Sequence, residues 1–528
     1  MSRTPLLGHV CRALRKAARS ESVSREDHEA ATSPIGRRAF LRWSGSVAGA
    51  ALVGRFLPGC RTPGAPAVGR HRHGRDGPRV AVVGAGLAGL TAAYRLTQAG
   101  LRVDVYEAAG RVGGRAFSAR DLLAPGLVTE LGGEFIDSGH LVLRELVREL
   151  GLDLRDMQAD RADLCPVAYY FDGRHYYEAE IVAAFRPLAG AIEHDVLSLG
   201  DESPPGPAAR TAAFDRLSLA EYLDRIEARG VARRLLEVAF VTEYGLDTGE
   251  QSALNLLMLI NPDTSGGRLE LYGASDQRYK VVGGTQRITD ELARRLDGAV
   301  AIGHRLVALR SDGARCVLSF EKAGGAVQEA TADFVVLAVP FTTLREVQLD
   351  CDLPPVQRRA IAELRYGTNA KLLVGFAEPV WRGSGFGGDL FTDLPLQSGW
   401  DHGRGQGIAG AGYTIYLGGT AGVESGIGTP SQQASRHWPA LDRIFPRAVR
   451  ASTGRVERFH WPTHPWSRGS YSCWGVGQYT SFAGVLGRPA GPVHFAGEHC
   501  STDSAGYLNG AAETGVAAAE QVRTAARV

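Results

Sequence analysis

Three glycines and one acidic residue near residue 84 form a pattern typical of a phosphate-binding turn. Gly84, Gly86 and Gly89 follow an apolar run at 80–83, and a helix is predicted over 90–98. The first glycine permits a tight turn, the second lets the backbone approach a pyrophosphate, and the third lets helix and strand pack closely. Glu107 follows Gly84 by 23 residues, where a carboxylate can accept hydrogen bonds from ribose hydroxyls. Together these residues predict a dinucleotide site at the positive end of a helix.

A second candidate for chemistry is a lysine in an otherwise apolar run. Lys371 lies within residues 370–376, which read as a strand and contain no other charged residue. Burying an ammonium group is costly unless it is paired or serves a reaction. A strand lysine that faces solvent is the alternative interpretation.

Composition and charge exclude several classes of protein. The 528 residues carry a net charge of +2, but residues 1–79 contribute +10 and the remaining residues −8. The folded part is therefore mildly acidic, which argues against a nucleic-acid partner. The seven cysteines include no C-x-x-C pair, so the sequence indicates neither a metal site nor a disulfide framework.

The first sixty residues are typical of an export leader. Arg37 and Arg38 begin a twin-arginine pattern, and a small-residue apolar stretch at 44–57 is too short to cross a bilayer convincingly. Cys60 ends a segment similar to a bacterial lipobox, which predicts a lipid anchor, although Pro58 departs from that pattern. A disordered arginine-rich extension is the alternative. Residues 61–79 are predicted to be a flexible linker.

The rest of the chain is predicted to form an α/β fold of two interleaved domains. A Rossmann-like βαβ domain with the G-x-G-x-x-G turn would be discontinuous, and an α+β substrate domain would fill the intervals between its parts. The first domain would take residues 80–150, 276–349 and 446–528, and the second would take 151–275, which is largely helical in its spacing, and 350–445. Pockets commonly form between such domains, so the active site is expected there.

A second G-x-G-x-x-G match, at 405–410, is interpreted as a loop. The sequence indicates no strand before it, and a strand-like run rather than a helix follows it. One true fingerprint predicts one bound dinucleotide, with no separate nicotinamide site.

The residues that follow Glu107 narrow the identity of the dinucleotide. Arg111, Gly113, Gly114 and Arg115 complete an E-x-x-x-R-x-G-G-R segment that resembles the FAD-binding segment of the flavin amine oxidase superfamily. The segment Leu131-Gly132-Gly133-Glu134-Phe135 and the run from Gly497 and Glu498 to Gly506, Tyr507 and Leu508 are similar to the next and the last motifs of that family. The resemblance implies FAD as cofactor. The cofactor contacts expected besides the opening glycines and Glu107 are Arg111, Gly113, Gly114, Arg115, Gly132, Gly133, Glu134, Phe135, Val307, Trp466, Gly497, Glu498, Gly506, Tyr507 and Leu508.

The same resemblance assigns roles to three further positions. A lysine at the place of Lys371 holds a water beside flavin N5 and assists reaction with oxygen. Tyr471 and Tyr507 match the two faces of an aromatic cage around the substrate nitrogen. Ser470 stands where the monoamine oxidases carry the cysteine that binds flavin covalently, so FAD is expected to be non-covalent. Covalent attachment at the nearby Cys473 is the alternative. Core packing is the alternative interpretation for each tyrosine.

The resemblance implies an oxidase of a primary or secondary amine. A hydride would pass from the α-carbon to flavin N5, the imine would be hydrolysed, and O2 would reoxidise the flavin to give hydrogen peroxide. An L-amino-acid oxidase is the alternative, although the arginine that binds the substrate carboxylate in venom-type members would fall at Phe135. A desaturase or isomerase and a non-catalytic FAD-binding lipoprotein are the other classes considered. Candidate substrate residues are Asp137, Tyr244 and Trp474.

Overall fold

The computed structural model describes residues 77–159, 164–203, 206–313 and 315–527. The predicted export leader, with Cys60 and the linker up to residue 76, lies outside these residues. Within these described residues, twenty strands form five sheets. The strands are β1 Arg79–Val83, β2 Arg102–Tyr106, β3 Ser118–Arg120, β4 Val128–Glu130, β5 Leu154–Asp156, β6 Cys165–Phe171, β7 Arg174–Tyr176, β8 Tyr279–Val281, β9 Val300–Ala301, β10 His304–Ser311, β11 Cys316–Lys322, β12 Val327–Ala332, β13 Phe334–Leu337, β14 Gln348–Asp350, β15 Ala370–Phe376, β16 Phe386–Thr392, β17 Ser398–Asp401, β18 Ala411–Leu417, β19 Ser452–His460 and β20 Val493–Phe495.

Helices connect and cover these sheets. They are α1 Leu87–Gln98, α2 Leu141–Glu149, α3 Glu178–Ser198, α4 Pro207–Asp215, α5 Leu219–Arg225, α6 Gly230–Tyr244, α7 Leu254–Leu257, α8 Gln286–Arg295, α9 Phe341–Leu344, α10 Pro355–Glu363, α11 Val380–Gly383, α12 Gly419–Glu424, α13 Pro430–Ile444, α14 Ala448–Ala451, α15 Gln478–Phe482 and α16 Leu508–Ala525, with short 3-10 helices at Trp461–Thr463 and Glu498–Cys500. Among the described residues, no helix is long and apolar enough to span a bilayer.

The predicted strand–turn–helix–strand unit is confirmed. β1, α1 and β2 follow one another, and β1 lies at the centre of a parallel sheet in the order β20–β13–β1–β2–β9. α1 begins at Leu87, earlier than predicted, because Gly86 is its N-cap. A Cβ on Gly89 would lie 1.9 Å from the carbonyl oxygen of Gly84, so only glycine allows helix and turn to approach this closely.

The strands of this parallel sheet come from three distant parts of the chain. β1 and β2 lie before residue 150, β9 and β13 lie within 276–349, and β20 lies after residue 446. In such sheets ligands bind at the carboxyl ends of the strands, and the ends of β1, β2, β13 and β20 all meet at one edge here. The division into two domains stays a prediction, because residues 77–527 all belong to one compact unit.

A seven-stranded sheet supplies the other large surface. Its order is β19–β15–β18–β17–β16–β6–β7, and every residue of β15, including Lys371, is buried. Across this sheet Lys371 pairs with Tyr416 of β18, which pairs in turn with Ser398 of β17. The interval 151–275 is less helical than predicted. Its strand β6 joins this sheet because the valine, tyrosines and phenylalanine of 165–171 are residue types that favour strands.

The second glycine match at 405–410 is a loop, as predicted, and the predicted strand does follow it, but the absence of a strand before it was wrongly predicted. A strand, β17, does precede the match, and it ends at Asp401. The glycines connect β17 to its antiparallel neighbour β18, so no helix end faces a phosphate at this place. What separates the true fingerprint from the false one is therefore the helix that follows it.

Candidate active site

One large cavity, of about 830 Å³, joins the end of the parallel sheet to the face of the seven-stranded sheet. Lys371, Tyr471 and Tyr507 line it, and so do most of the residues that the sequence predicts as cofactor contacts. The lining includes the predicted contacts Gly84, Gly86, Glu107, Arg111, Gly113, Gly114, Arg115, Gly132, Gly133, Glu134, Phe135, Trp466, Gly497, Glu498, Gly506 and Leu508. Motifs that lie more than four hundred residues apart in the chain therefore meet in one space.

The sheet end of the cavity fits a dinucleotide. A Cβ on Gly86 would meet nothing within 4 Å, so this side of the turn is open to the cavity. Backbone N–H groups of Ala85 and Ala109 donate to the two oxygens of the Glu107 carboxylate, at 2.7 and 2.8 Å. Those bonds fix the carboxylate at the end of β2, where ribose hydroxyls would meet it, while burial raises its pKa.

Two predicted arginine contacts turn out to be engaged with the protein itself. Arg111 donates to the carbonyl oxygens of Val112 and Gly114, which holds the glycine-rich loop in place. Arg115 forms an ion pair of 2.7 Å with Glu498. Any contact of these two arginines with FAD would be made from these positions.

Glu498 is predicted as a cofactor contact, but the structure shows its carboxylate bonded to groups of the protein itself. Besides Arg115, it accepts hydrogen bonds from the backbone and hydroxyl of Ser472 and from the backbone N–H of Gly506. Four donors fill the capacity of a carboxylate. Glu498 therefore ties the front motif to the C-terminal motif, and a bond to a ligand would have to replace one of these.

Lys371 is held by an ionic network that the sequence did not reveal. Its ammonium donates to the carbonyl oxygens of Glu130 and Gly132 and to the Glu134 carboxylate, at 3.0, 2.9 and 2.9 Å. The second carboxylate oxygen of Glu134 accepts a hydrogen bond from Lys280, another buried lysine. An ammonium has three N–H bonds, so the predicted role of holding a water requires Lys371 to release one of these acceptors.

This network sets the charge of the buried acids. Burial alone would raise the pKa of the Glu134 carboxyl, but the charges of Lys280 and Lys371 outweigh burial and lower that pKa to about 2. Burial raises the pKa of the neighbouring Glu130 to about 7, and the charge of Glu134 adds to this rise. At neutral pH, Glu134 is therefore an anion shared by two cations, which leaves a net positive charge beside the cavity.

The two tyrosines predicted as an aromatic cage converge on one residue. The Tyr507 hydroxyl donates to the Glu243 carboxylate, and the Tyr471 hydroxyl donates to the Glu243 carbonyl oxygen at 2.6 Å. Glu243 lies in the last turn of α6, where carbonyl oxygens lack partners within the helix, so Tyr471 satisfies one of them. Tyr507 occupies the N-cap position of α16, and its side chain makes no capping hydrogen bond.

The remaining predicted residues divide between those inside and those outside the cavity. Asp137 and Tyr244 line it, but the Asp137 carboxylate lies 3.3 Å from His140 and the Tyr244 hydroxyl donates to the Asn255 carbonyl oxygen. Val307, Trp474 and Gly89 are not among the lining residues. Trp474, proposed as a pocket wall, was misplaced by the prediction, because it packs against Tyr479 beside a separate, much smaller cavity.

The serine at the covalent-flavin position faces the cavity, whereas the cysteine nearby does not. Ser470 lines the cavity, and its hydroxyl donates to Asn369 at 2.6 Å. Cys473 is buried against Asn255, and burial keeps the pKa of its thiol well above the usual range. A buried neutral thiol is a poor nucleophile, so Cys473 is unsuited to attack a flavin.

Comparison with known proteins agrees with this geometry. The family model described as flavin containing amine oxidoreductase matches residues 87–523. The chain belongs to this family. A relative from Danio rerio, amine oxidase [flavin-containing], is 24% identical over 467 residues, which cover 84% of this chain and 86% of the relative.

Two solved structures share the fold of this flavin amine oxidoreductase. Putrescine oxidase, wild type bound to putrescine, superposes with a TM-score of 0.71 at 21% identity, over 85% of this chain and 99% of that chain. Cyclohexylamine oxidase from Brevibacterium oxydans superposes with a TM-score of 0.73 at 22% identity, over 86% of this chain and all of that chain. The chain therefore has the mixed α/β fold of these FAD-dependent amine oxidases.

Sequence reasoning missed three residues that shape this amine oxidoreductase site. Lys280, like Lys371, is a lysine in an apolar, strand-like run, and two glycines follow that run. The sequence analysis nevertheless did not predict a role for Lys280. Trp400 donates to the Glu134 carboxylate at 3.1 Å, and no local pattern marks it. Glu243 precedes the predicted substrate residue Tyr244, but no pattern in the sequence marks Glu243 itself.

We expect Glu134→Gln to destabilise the fold by about 3–5 kcal/mol, because it leaves two buried ammonium groups without their shared anion. In the wild-type protein the free energy of unfolding should lose this contribution as the pH falls from 4.5 towards about 2. In the variant the free energy of unfolding should not show this decrease. Urea unfolding at several pH values measures both effects. Glu145→Gln, which removes an exposed carboxylate paired with Arg148, is the control and should unfold like wild type. Equal stability of Glu134→Gln and the control would contradict this account.

Proposed function

We propose that this chain binds FAD non-covalently and oxidises a primary or secondary amine, with O2 as electron acceptor and hydrogen peroxide as a product. One observation carries the proposal. A single cavity connects the dinucleotide fingerprint at Gly84 to a buried lysine, Lys371, and to two tyrosines, Tyr471 and Tyr507. When bound, FAD supplies a hydride acceptor for the α-carbon of the amine and returns the electrons to oxygen.

The protein would hold the cofactor with the residues of the sheet end. Glu107 would accept hydrogen bonds from the ribose, and the turn at Gly86 and the N-terminus of α1 would face the pyrophosphate. The N-terminus of α16 also faces the cavity, and its dipole would favour negative charge on the ligand there. Ser470 supports non-covalent binding, and acid precipitation should then release all of the flavin into solution.

The tyrosines would orient the substrate and exclude water. Tyr471 and Tyr507 are fixed at their hydroxyl ends by Glu243, so their ring positions are set before an amine arrives. Pre-set ring faces lower the entropy cost of orienting the α-carbon. Loss of the α-hydride requires a neutral amine, because only the nitrogen lone pair can stabilise the cation that forms.

A peroxide-coupled screen of the purified flavoprotein against mono-, di- and polyamines and the L-amino acids tests this function. Peroxide with at least one amine supports it, and peroxide with amino acids alone would favour the alternative L-amino-acid oxidase. Flavin reduction by a non-amine donor, with no peroxide from any amine or amino acid, would refute it and favour a desaturase or isomerase.

We also propose that residues 1–60 direct export by the twin-arginine route and that Cys60 is lipidated. The support is the Arg37–Arg38 pair and the segment before Cys60. The route carries folded proteins, which suits a flavoprotein that must acquire its cofactor before export. The double substitution Arg37→Lys and Arg38→Lys should shift the protein to the cytoplasm, and cell fractionation measures this shift. An unchanged distribution would contradict the proposal.

We expect Lys371→Met to slow reoxidation of the reduced flavin by about tenfold or more, because a buried cation near the flavin would stabilise the negative charge that forms on oxygen. FAD content should change little, since Lys280 still neutralises Glu134 in this variant. Rapid mixing of the reduced protein with oxygen measures the rate. Lys322→Met, in β11 and away from the cavity lining, is the matched control. Equal reoxidation rates in both variants would refute the role of Lys371.

A further inference from the structure

Glu243 is an acidic residue at the point where both cage tyrosines end. It lines the cavity from the last turn of α6 and is partly buried. Its carboxylate accepts a hydrogen bond from Tyr507, and its carbonyl oxygen accepts one from Tyr471. Both rings line the same cavity as Glu243, so an amine held by the tyrosines would share that cavity with a carboxylate.

The electrostatic surroundings of Glu243 favour a cation. The C-terminal end of a helix carries partial negative charge, and a carboxylate in the last turn of α6 adds to it instead of offsetting it. Lys371, which lines the same cavity, is already bound to Glu134. Tyr507 is affected by the charges of two acids, Glu243 and Asp137. The tyrosine end of the cavity is thus negative, whereas the charges of Lys371 and Lys280 are held at Glu134.

We propose that Glu243 is the docking group for the ammonium form of the substrate and takes its proton before oxidation. This inference rests on the proposed amine oxidase function and adds the substrate class to it, namely amines without a carboxylate on the reacting carbon. A substrate α-carboxylate would lie beside Glu243 and be repelled by it. Arg268 also lines the cavity, but it is exposed on a loop. Water would therefore weaken any ion pair between Arg268 and a substrate carboxylate.

The proton step balances without any further group. An N–H bond of the ammonium breaks, an O–H bond forms on the Glu243 carboxylate, and the ion pair becomes a neutral amine beside a neutral carboxylic acid. The lone pair that the oxidation requires is released by this step. The Tyr507 hydroxyl can continue to hydrogen-bond the protonated acid, so the rings need not move.

Other titratable groups face Glu243, but most of them stay neutral in the working pH range. Burial raises the pKa of Tyr471, Tyr507, Tyr416 and Tyr272 above the ordinary value of 10, so these phenols are protonated at neutral pH. Tyr244 and Asp137 are the other titratable groups that act on Tyr507 together with Glu243. Asp137 contacts His140, so a pH dependence that survives removal of Glu243 would point to that pair.

The test compares Glu243→Gln with Glu237→Gln, the same change on the same helix at a residue paired with Arg233 outside the cavity lining. The probe is α,α-dimethylbenzylamine, which has no α-hydrogen and therefore binds without being oxidised. Calorimetry on the FAD-loaded proteins should show binding that is weaker by about tenfold or more in Glu243→Gln and unchanged in Glu237→Gln. Glu243→Asp should restore part of the affinity, which a purely structural defect would not allow.

The pH dependence provides a second readout. In wild type the probe should bind more weakly as the pH rises past the pKa of its ammonium, roughly 10 for an alkyl amine. With benzylamine under anaerobic conditions, flavin reduction in Glu243→Gln should require a higher pH than in wild type, since solvent must then remove the proton. Equal probe affinity in wild type and Glu243→Gln, with equal flavin content, would overturn the inference. Probe binding in all proteins without flavin reduction by any oxidisable amine would instead refute the proposed function itself, and this inference with it.

Discussion

The ion pair between Glu134 and the two buried lysines is the interaction on which the site depends. An isolated ammonium in a strand that is buried along its whole length would be too costly to keep charged. Glu134 makes that burial tolerable for Lys371 and Lys280 together, and the carbonyl oxygens of Glu130 and Gly132 complete the shell of Lys371. A net positive charge is thereby fixed against the cavity wall, reduced in part by the neighbouring Glu130, whose pKa is about 7.

That charge gives the cavity its polarity. The lysine wall would favour electron-rich partners such as a reduced cofactor or oxygen, while the tyrosine end, with Glu243 and Asp137, would favour a cationic amine. The dinucleotide end is formed separately by the parallel sheet and its glycine turn. A second carboxylate, Glu498, joins the dinucleotide end to the tyrosine end, because it bonds both Arg115 of the front motif and Gly506 of the C-terminal motif.

Local patterns predicted much of this arrangement, and the failures have a common cause. The glycine turn, Glu107 and Lys371 could be predicted because each belongs to a local pattern or a motif. The pairing of Glu134 could not, since Lys280 and Lys371 lie 146 and 237 residues away in the chain. Trp474 failed for a related reason, because position next to a motif does not fix the direction of a side chain.

Anaerobic titration of the purified flavoprotein with a primary amine tests the central claim most directly. The account predicts that the amine bleaches the oxidised flavin with one carbonyl product released per flavin, and that admission of oxygen restores the colour with formation of peroxide. A flavin that stays oxidised with every amine, yet is reduced by a chemical reductant and reoxidised by oxygen, would contradict the account.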